Sequence, residues 1–185
     1  MKNLIILLLF IFPILLSSQI IKELPTDENG KLNYNKVVQV ENTNKNELYL
    51  RGRAFFANTF KDAKEVIQMD DKDSGIIIGK AFSDIYITSW GNSIPIQMWF
   101  SIKIQAKDAK YKYEIYNIYF KSYPGEYGVY THSAEKWFDR KIYYKNNGKP
   151  RNIREKYKIE TTKEIQSLES AIISKMNTTD QNEKW

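Results

Sequence analysis

Residues 98–120 constrain the fold more than any other part of the chain. They contain two runs in which apolar and polar side chains alternate, and the apolar members are Phe100, Ile102, Ile104 and Ala106 in the first run and Tyr111, Tyr113 and Ile115 in the second. Because successive side chains of a strand point to opposite faces, each run is typical of a half-buried strand. The polar residues 107–110 between them predict an antiparallel hairpin. Ala109 stands where the tightest turns prefer glycine, so we expect a longer or bulged turn.

Upstream of this hairpin, three segments have the composition of strands. Residues 35–41 form a β-branched run, and residues 65–69 and 75–82 are apolar segments separated by a polar turn. Residues 83–96 contain glycine and proline and are interpreted as a loop, with a brief edge strand at residues 85–88.

A helix is predicted between the first two of these strands, from Asn44 to about Phe60. Asn44 and Glu47 have the spacing of a capping box, and the apolar residues that follow recur at helical intervals. Gly52 lies within the apolar stripe, where the absence of a side chain would permit a close approach to the sheet.

The periodicity breaks after residue 120. Residues 121–160 are rich in tyrosine and interrupted by proline, glycine and asparagine, and we predict an irregular segment. A second capping-box spacing at residues 161–164 predicts the start of a final helix, whose apolar stripe ends at Met176. Residues 179–185 are predicted to be a frayed tail. A chain of 185 residues accommodates one domain with a substantial core, which we place at residues 35–178.

The first 18 residues have the form of a signal peptide. A basic start precedes an apolar run over residues 4–16, which is shorter than the roughly 20 residues that a membrane-spanning helix needs. We therefore predict cleavage near Ser18, export to the periplasm, cell surface or medium, and no stable membrane span in the mature chain. Ile20 and Ile21 extend the apolar run, so an uncleaved anchor is the alternative. Residues 19–34 are predicted to be a flexible lead-in.

Several chemistries are excluded or unsupported by the sequence. The chain has no cysteine, which excludes disulfides, thiolate metal sites, cysteine nucleophiles and lipid attachment at cysteine. It has no glycine-rich phosphate loop and no histidine pair, so we predict no cofactor and no metal site. Residues 70–75 resemble the start of a calcium loop, but Lys72 and Ala81 stand where an EF-hand loop needs oxygen ligands. His132 is the only histidine, and the sequence shows no group to orient it as a general base, so no catalytic residue is assigned.

The polar face of the 98–120 hairpin is the best candidate for a binding site. The predicted ligand-binding or partner-binding residues are Trp99, Lys103, Lys107, Lys112 and Tyr116, together with Trp90 and Trp137 from loops. Basic groups interleaved with aromatic rings can bind single-stranded nucleic acid or anionic glycans. The net charge of +6 is mild, and the predicted export argues against nucleic acid in vivo. The alternative is an ordinary solvated sheet face, or one covered by residues 121–157.

The chain also resembles a known family. The resemblance rests on the segment IIIGK at residues 76–80 and the segment IKIQAKDAKYKY at residues 102–113. It also rests on the predicted order of elements, which is strand, helix, four strands, helix. These features are similar to those of an exported bacterial family classed as a domain of unknown function, family 4468, with a TATA-binding-protein-like (TBP-like) fold. The resemblance implies an α+β domain whose antiparallel sheet carries two helices on one face. It implies no activity. That family usually has glycine at the position of Ala109, so this chain departs from the family pattern there.

The sequence thus favours a non-catalytic binding or interaction module of the bacterial envelope. Its partner would be an unidentified envelope protein or an anionic ligand. Two alternatives stay open at this point, a small secreted hydrolase that uses His132 and a purely structural component of the envelope.

Overall fold

The structure is a computed structural model that describes residues 24–89, 91–126 and 128–178. Within those residues it has six strands and five helices. The strands are β1 (Asn33–Gln39), β2 (Ile67–Asp71), β3 (Ile76–Ser89), β4 (Asn92–Lys107), β5 (Lys110–Ser122) and β6 (Thr131–Ser133). The helices are α1 (Lys45–Thr59), α2 (Ala63–Val66), α3 (Ala134–Phe138), α4 (Arg140–Tyr143) and α5 (Asn152–Asn177).

All six strands belong to one antiparallel sheet. Five of them follow the order β1-β5-β4-β3-β2, and β6 pairs with the end of β5. The longest pairing joins β3 to β4, from Ile76↔Gln105 to Ser89↔Asn92, without a register shift. Strand β2 covers only the first part of β3, ending at Ile67↔Gly79.

The helices α1 and α5 cover one face of this sheet. A Cβ added to Gly52 of α1 would lie 3.1 Å from Ile77 Cδ1, 3.4 Å from Ile104 Cγ2 and 3.8 Å from Met176 Sδ, so two strands and α5 meet α1 at this glycine. The predicted close approach at Gly52 is therefore confirmed. The apolar residues of the 98–120 pattern are at most 1% exposed, namely Phe100, Ile102, Ile104, Ala106, Tyr111, Tyr113 and Ile115. The predicted fold class, an α+β antiparallel sheet with two helices on one face, is confirmed.

The start of α1 also agrees with the sequence. The Asn44 side-chain oxygen accepts a hydrogen bond from the backbone N–H of Glu47 at 2.9 Å, as an N-cap residue should. A carboxylate from the β4–β5 turn adds to the cap, because Asp108 Oδ1 accepts from the N–H of Lys45 at 2.7 Å. Strands β1 and β2 are each displaced by two residues from their predicted positions.

The turn between β4 and β5 is shorter than predicted. Lys107 pairs directly with Lys110, so the loop contains two residues, and Ala109 has a φ of +61° in the left-handed region. The expectation of a longer or bulged turn was wrong because contacts outside the hairpin hold the alanine in place. Its N–H donates to the carbonyl of Thr43 at 2.8 Å, and its carbonyl accepts from the N–H of Val40 at 2.8 Å.

Residues 83–96 are not a loop, because β3 and β4 continue through them as one long hairpin. Pro95 is tolerated within β4 for a geometric reason. The N–H of Ala106 donates to the carbonyl of Gly75, so even-numbered residues of β4 bond to β3 and odd-numbered residues point toward β5. Strand β5 pairs with β4 only from Ile96 onward, so the missing N–H of Pro95 breaks no ladder bond.

Residues 121–160 are more regular than predicted, since they contain β6, α3, α4 and the first turns of α5. The final helix begins at Asn152, before the expected start at residue 161. Thr161 is buried within the helix, and Thr162 Oγ1 donates to the carbonyl of Lys158 at 2.8 Å. The second capping-box spacing therefore lies inside the helix, while a turn with Gly148 at a φ of +76° precedes the true start.

The part of the predicted flexible lead-in that the structure describes, residues 24–34, is folded. Leu32 is buried, and Asp27 Oδ1 accepts from the N–H groups of Asn29 and Lys31, both at 2.9 Å. The predicted signal peptide, residues 19–23 of the lead-in, Trp90 and the predicted tail 179–185 lie outside the described residues.

Candidate functional site

The sheet face opposite α1 and α5, which we call the open face, is the candidate site. Along β4 the even-numbered side chains are buried under the helices, so the odd-numbered ones lie on the open face. The register and the burial pattern place the following residues there: Lys80, Phe82, Asp84 and Tyr86 from β3, Gln97, Trp99, Ser101 and Lys103 from β4, and Lys112, Glu114, Tyr116, Tyr119 and Lys121 from β5.

An aromatic row of Phe82, Trp99 and Tyr119 crosses the centre of the open face. The three residues are direct cross-strand partners on β3, β4 and β5. The ring centroids of Phe82 and Trp99 are 4.9 Å apart, and those of Trp99 and Tyr119 are 6.0 Å apart with planes inclined by only 4°. Cross-strand aromatic pairs of this kind stabilise a sheet and fix the orientation of their rings.

Two lysines flank the aromatic row. Lys80 Nζ lies 5.5 Å from the ring centroid of Trp99 and 5.6 Å from that of Tyr119, and Lys121 Nζ lies 6.0 Å from the Trp99 centroid. These are cation–π distances. Within residues 24–89, 91–126 and 128–178, neither lysine has a carboxylate within ion-pair distance. Both ammonium groups therefore keep donors available for an anion.

Hydrogen bonds position the polar neighbours of the row. Trp99 Nε1 donates to Gln97 Oε1 at 3.1 Å, which orients the indole. Tyr123 OH donates to the carboxylate of Asp84 at 2.8 Å, so this acid is held toward β5. The bond to Asp84 raises the pKa of the Tyr123 phenol.

The lysines predicted from the sequence lie further along the same face and are partly neutralised. Lys112 Nζ is 2.9 Å and Lys103 Nζ is 4.0 Å from Glu114 Oε1. Partial burial pushes the pKa of Glu114 upward, but the hydrogen bond and charge of Lys112, together with the charge of Lys103, outweigh it and hold the pKa below its ordinary value. Tyr116 lies beside Glu114, and Lys107 is exposed at the hairpin end. Of the seven predicted site residues, the structure therefore places Trp99, Lys103, Lys107, Lys112 and Tyr116 on one face.

Trp137 belongs to a different cluster, on α3. Its ring stacks on the His132 ring at a centroid distance of 4.7 Å, lies 4.1 Å from the guanidinium of Arg154, and contacts Tyr157. His132 has this ring contact but no hydrogen-bonded carboxylate in the described residues, so it lacks the partner that a general base needs. Trp90, the remaining predicted site residue, lies outside the described residues.

The sequence did not identify Lys80, Phe82, Tyr119 and Lys121 as site residues. Phe82 was assigned to the last position of a short strand, so its neighbours on β4 could not be inferred. Asn117 has a φ of +53°, and the β4–β5 register shifts beside it. This bulge moves Tyr119 and Lys121 to the open face, contrary to the simple alternation from Tyr111 to Ile115.

The described residues include no group of three histidine or acidic side chains placed to hold a metal ion. Asp70, the first residue of the calcium-like segment, lies instead within an ion pair and a hydrogen bond, with Arg53 Nε at 3.0 Å and the hydroxyl of Tyr49 as partners. No helix in the described part of the chain combines the length and apolar character needed to cross a membrane.

Solved structures with the same fold include two bacterial proteins. A DUF4468 family protein from Bacteroides ovatus superposes with a TM-score of 0.70 at 17% identity, covering 88% of this chain and 95% of that one. A TBP-like protein from Parabacteroides distasonis superposes with a TM-score of 0.64 at 19% identity, covering 84% of this chain and 97% of that one. A search of proteins with curated descriptions finds no match.

The sequence profile of one family matches residues 34–121, which run from the second residue of β1 to the residue before the last of β5. The matched stretch includes both segments that carry the resemblance, and it includes the whole aromatic row with Lys80 and Lys121. Residues 34–121 of this chain therefore match the family described as a domain of unknown function (DUF4468) with a TBP-like fold.

Proposed function

We propose that this protein is a non-catalytic binding module of the bacterial envelope, and that its open face binds an acidic glycan across the aromatic row. The observation that carries the proposal is the position of Trp99, whose ring lies between two aromatic neighbours and within 6.0 Å of two lysine ammonium groups. A ligand at this place would meet apolar ring surface and positive charge together.

The ligand class follows from that combination. A cation–π contact holds an ammonium group near a ring but leaves its N–H donors free to bind a carboxylate or sulfate. Sugar rings offer C–H surfaces to aromatic side chains, so an acidic polysaccharide satisfies both parts of the site. Single-stranded nucleic acid shares these features, but the predicted export favours a glycan. The hydrolase alternative gains no support from His132, whose described contact is the stacked ring of Trp137.

Binding can be measured by titrating the purified protein with an oligogalacturonate, following tryptophan fluorescence and calorimetry. We expect saturable binding that weakens with added salt, and no comparable binding of a neutral oligosaccharide of equal length. Trp99→Ala and the double variant Lys80→Ala/Lys121→Ala should each raise the Kd by about tenfold or more.

Lys103→Ala is the matched control, because it removes a lysine from the same face that already lies near Glu114. We expect its Kd to change by less than about threefold. Equal binding of the neutral oligosaccharide, or an unchanged Kd in the Trp99 and double-lysine variants, would show that the aromatic row is not the site. Tighter binding of an oligothymidylate than of the oligogalacturonate would replace the glycan by nucleic acid as the ligand class.

A further inference from the structure

The second half of β3 has an unpaired edge. Strand β2 pairs with β3 only as far as Gly79, so no strand in the described residues pairs with Phe82 through Thr88 on the side away from β4. The direction of the backbone groups follows from the bond between Ala106 N–H and the Gly75 carbonyl, which shows that odd-numbered residues of β3 bond to β4. The backbone N–H and carbonyl groups of the even-numbered residues therefore face the free edge. These residues are Phe82, Asp84, Tyr86 and Thr88.

One of these groups confirms the direction. The carbonyl of Thr88 accepts a hydrogen bond from Lys156 Nζ at 2.5 Å, which requires that this carbonyl point away from β4. Free strand edges attract other strands, because each exposed N–H and carbonyl can enter a new ladder.

The free edges of β1 and β2 carry features that discourage pairing along their length, whereas the β3 edge has a charged contact only at its end, where Lys156 bonds to the Thr88 carbonyl. The free edge of β1 has the charged Lys36 on the helix-facing side of the strand, and β2 is five residues long with a register shift near Met69. The stretch of β3 has no proline and no register shift. Its one acid, Asp84, is bonded to Tyr123 on the other side of β4, and Phe82 and Tyr86 are 42% and 57% exposed.

The geometry points to a second copy of this chain as the occupant of the β3 edge. A two-fold axis at Ile85 makes the four edge-facing residues self-complementary, with Phe82 opposite the partner's Thr88 and Asp84 opposite the partner's Tyr86. Phe82 then lies diagonal to the partner's Tyr86, within the reach of two aromatic side chains. An axis at Asp84 would instead set two carboxylates directly opposite each other, which destabilises a strand pair. The result is an isologous dimer with one continuous sheet.

This dimer does not depend on glycan binding. Because the strands of a sheet pair side by side, the two open faces lie on the same side of the joined sheet, and the two aromatic rows form one extended surface. A monomer would offer one row only.

Sedimentation velocity of the protein expressed from its full sequence, over a wide concentration series, tests the inference. We expect a reversible monomer–dimer equilibrium. Tyr86→Pro removes an N–H that faces the free edge and leaves the β3–β4 ladder intact, so it should raise the dimer Kd by about tenfold or more while circular dichroism stays unchanged.

Val37→Pro is the matched control on the opposite edge of the sheet. The N–H of Val40 donates to Ala109, so the N–H of Val37 faces away from β5, and Val37 is 54% exposed. This variant should dimerise as the unmodified protein does. A monomer at every concentration would overturn the inference, as would an equal effect of the two proline variants or no effect of either.

A cysteine cross-link provides a second readout that does not depend on proline being tolerated. The chain has no cysteine of its own, so the oxidised double variant Asp84→Cys/Tyr86→Cys should form a covalent dimer, whereas Asp84→Cys alone should not. No covalent dimer from the double variant, or one equally abundant from the single variant, would contradict the pairing centred on Ile85.

Discussion

Two residues of the β4–β5 turn form hydrogen bonds to residues that are distant from them in sequence. Asp108 caps α1 through the N–H of Lys45, and the backbone of Ala109 bonds to both Val40 and Thr43. Ala109 adopts its left-handed conformation although a Cβ at positive φ costs roughly 1 kcal/mol. The network of bonds therefore stabilises a conformation that the alanine itself disfavours.

We expect Ala109→Gly to stabilise the protein by about 0.5–1 kcal/mol, because glycine adopts positive φ without strain. The matched control is Ala57→Gly in the last turn of α1 on its exposed side, which should destabilise by about 0.5–1 kcal/mol because glycine loses more backbone freedom than alanine on entering a helix. Urea unfolding of both variants measures the free energies. If both substitutions lower stability equally, the turn is not strained at Ala109.

At the scale of elements, two glycines set how closely α1 packs on the sheet. Gly52 on α1 faces Ile77 and Ile104, and Gly79 on β3 lies under the ring of Phe56. A Cβ added to Gly79 would come within 2.3 Å of Phe56 Cε1, which is far inside van der Waals contact. The α1–sheet layer is therefore packed too closely for any larger side chain at this point.

Gly79→Ala should destabilise the protein by about 1–3 kcal/mol, since the ring of Phe56 must leave its position against the strand. Gly125→Ala is the matched control, because a Cβ there meets nothing within 4 Å and its φ is ordinary for an alanine. The control should be neutral or slightly stabilising. Thermal unfolding followed by circular dichroism compares the two, and an equal Tm for both variants would contradict the packing argument.

The elements that the sequence predicted correctly are those whose pattern is local. The alternation over residues 98–120 and the Asn44 cap each depend on neighbours within a few positions, and both are confirmed. Residues 83–96 were misassigned because Pro95 is tolerated only where β5 has ended, which no local pattern reveals. Of the aromatic row and its two lysines, only Trp99 was predicted, because it follows the local alternation, whereas Tyr119 reaches the open face only through the bulge at Asn117.

At the scale of the whole molecule, two buried tyrosines and one half-buried tyrosine join β1, β5 and α5. Tyr34 on β1 and Tyr111 and Tyr113 on β5 lie on the face covered by α5, where Tyr113 OH donates to Glu169 Oε1 at 2.8 Å. Burial, with a contribution from the charge of Glu169, raises the pKa of Tyr34 to about 12, and burial raises the pKa of Tyr111 to about 12. Burial and the bond to Glu169 also raise the pKa of Tyr113.

These shifts predict a loss of stability at alkaline pH. The folded state keeps the phenols protonated, while unfolded tyrosines ionise near pH 10. The free energy of unfolding should therefore be unaffected by these groups below pH 10 and should fall between pH 10 and 12, as the unfolded state loses protons that the folded state retains. Absorbance at 295 nm should show a late group of tyrosines that ionises together with unfolding.

Titration in concentrated urea is the control, since all tyrosines should then ionise in one phase near pH 10. Ionisation of every tyrosine in that same phase, with the circular dichroism of the folded protein retained, would show that the three phenols are accessible to solvent.

Tyr111→Phe removes a buried hydroxyl without a hydrogen-bond partner in the described residues, so it should not lower stability at neutral pH.

The bond from the Lys45 N–H to Asp108 has a consequence for the order of folding. It joins groups 63 residues apart, so the N-terminus of α1 receives this part of its cap only after β4 and β5 have closed their turn. The hairpin, whose contacts are local, closes quickly, whereas this one cap bond forms only after a long loop has been drawn together. The N-terminus of the first helix has two side-chain acceptors, the amide oxygen of Asn44 and the carboxylate of Asp108. A nascent chain that has not yet extended past residue 110 would have only the first of them.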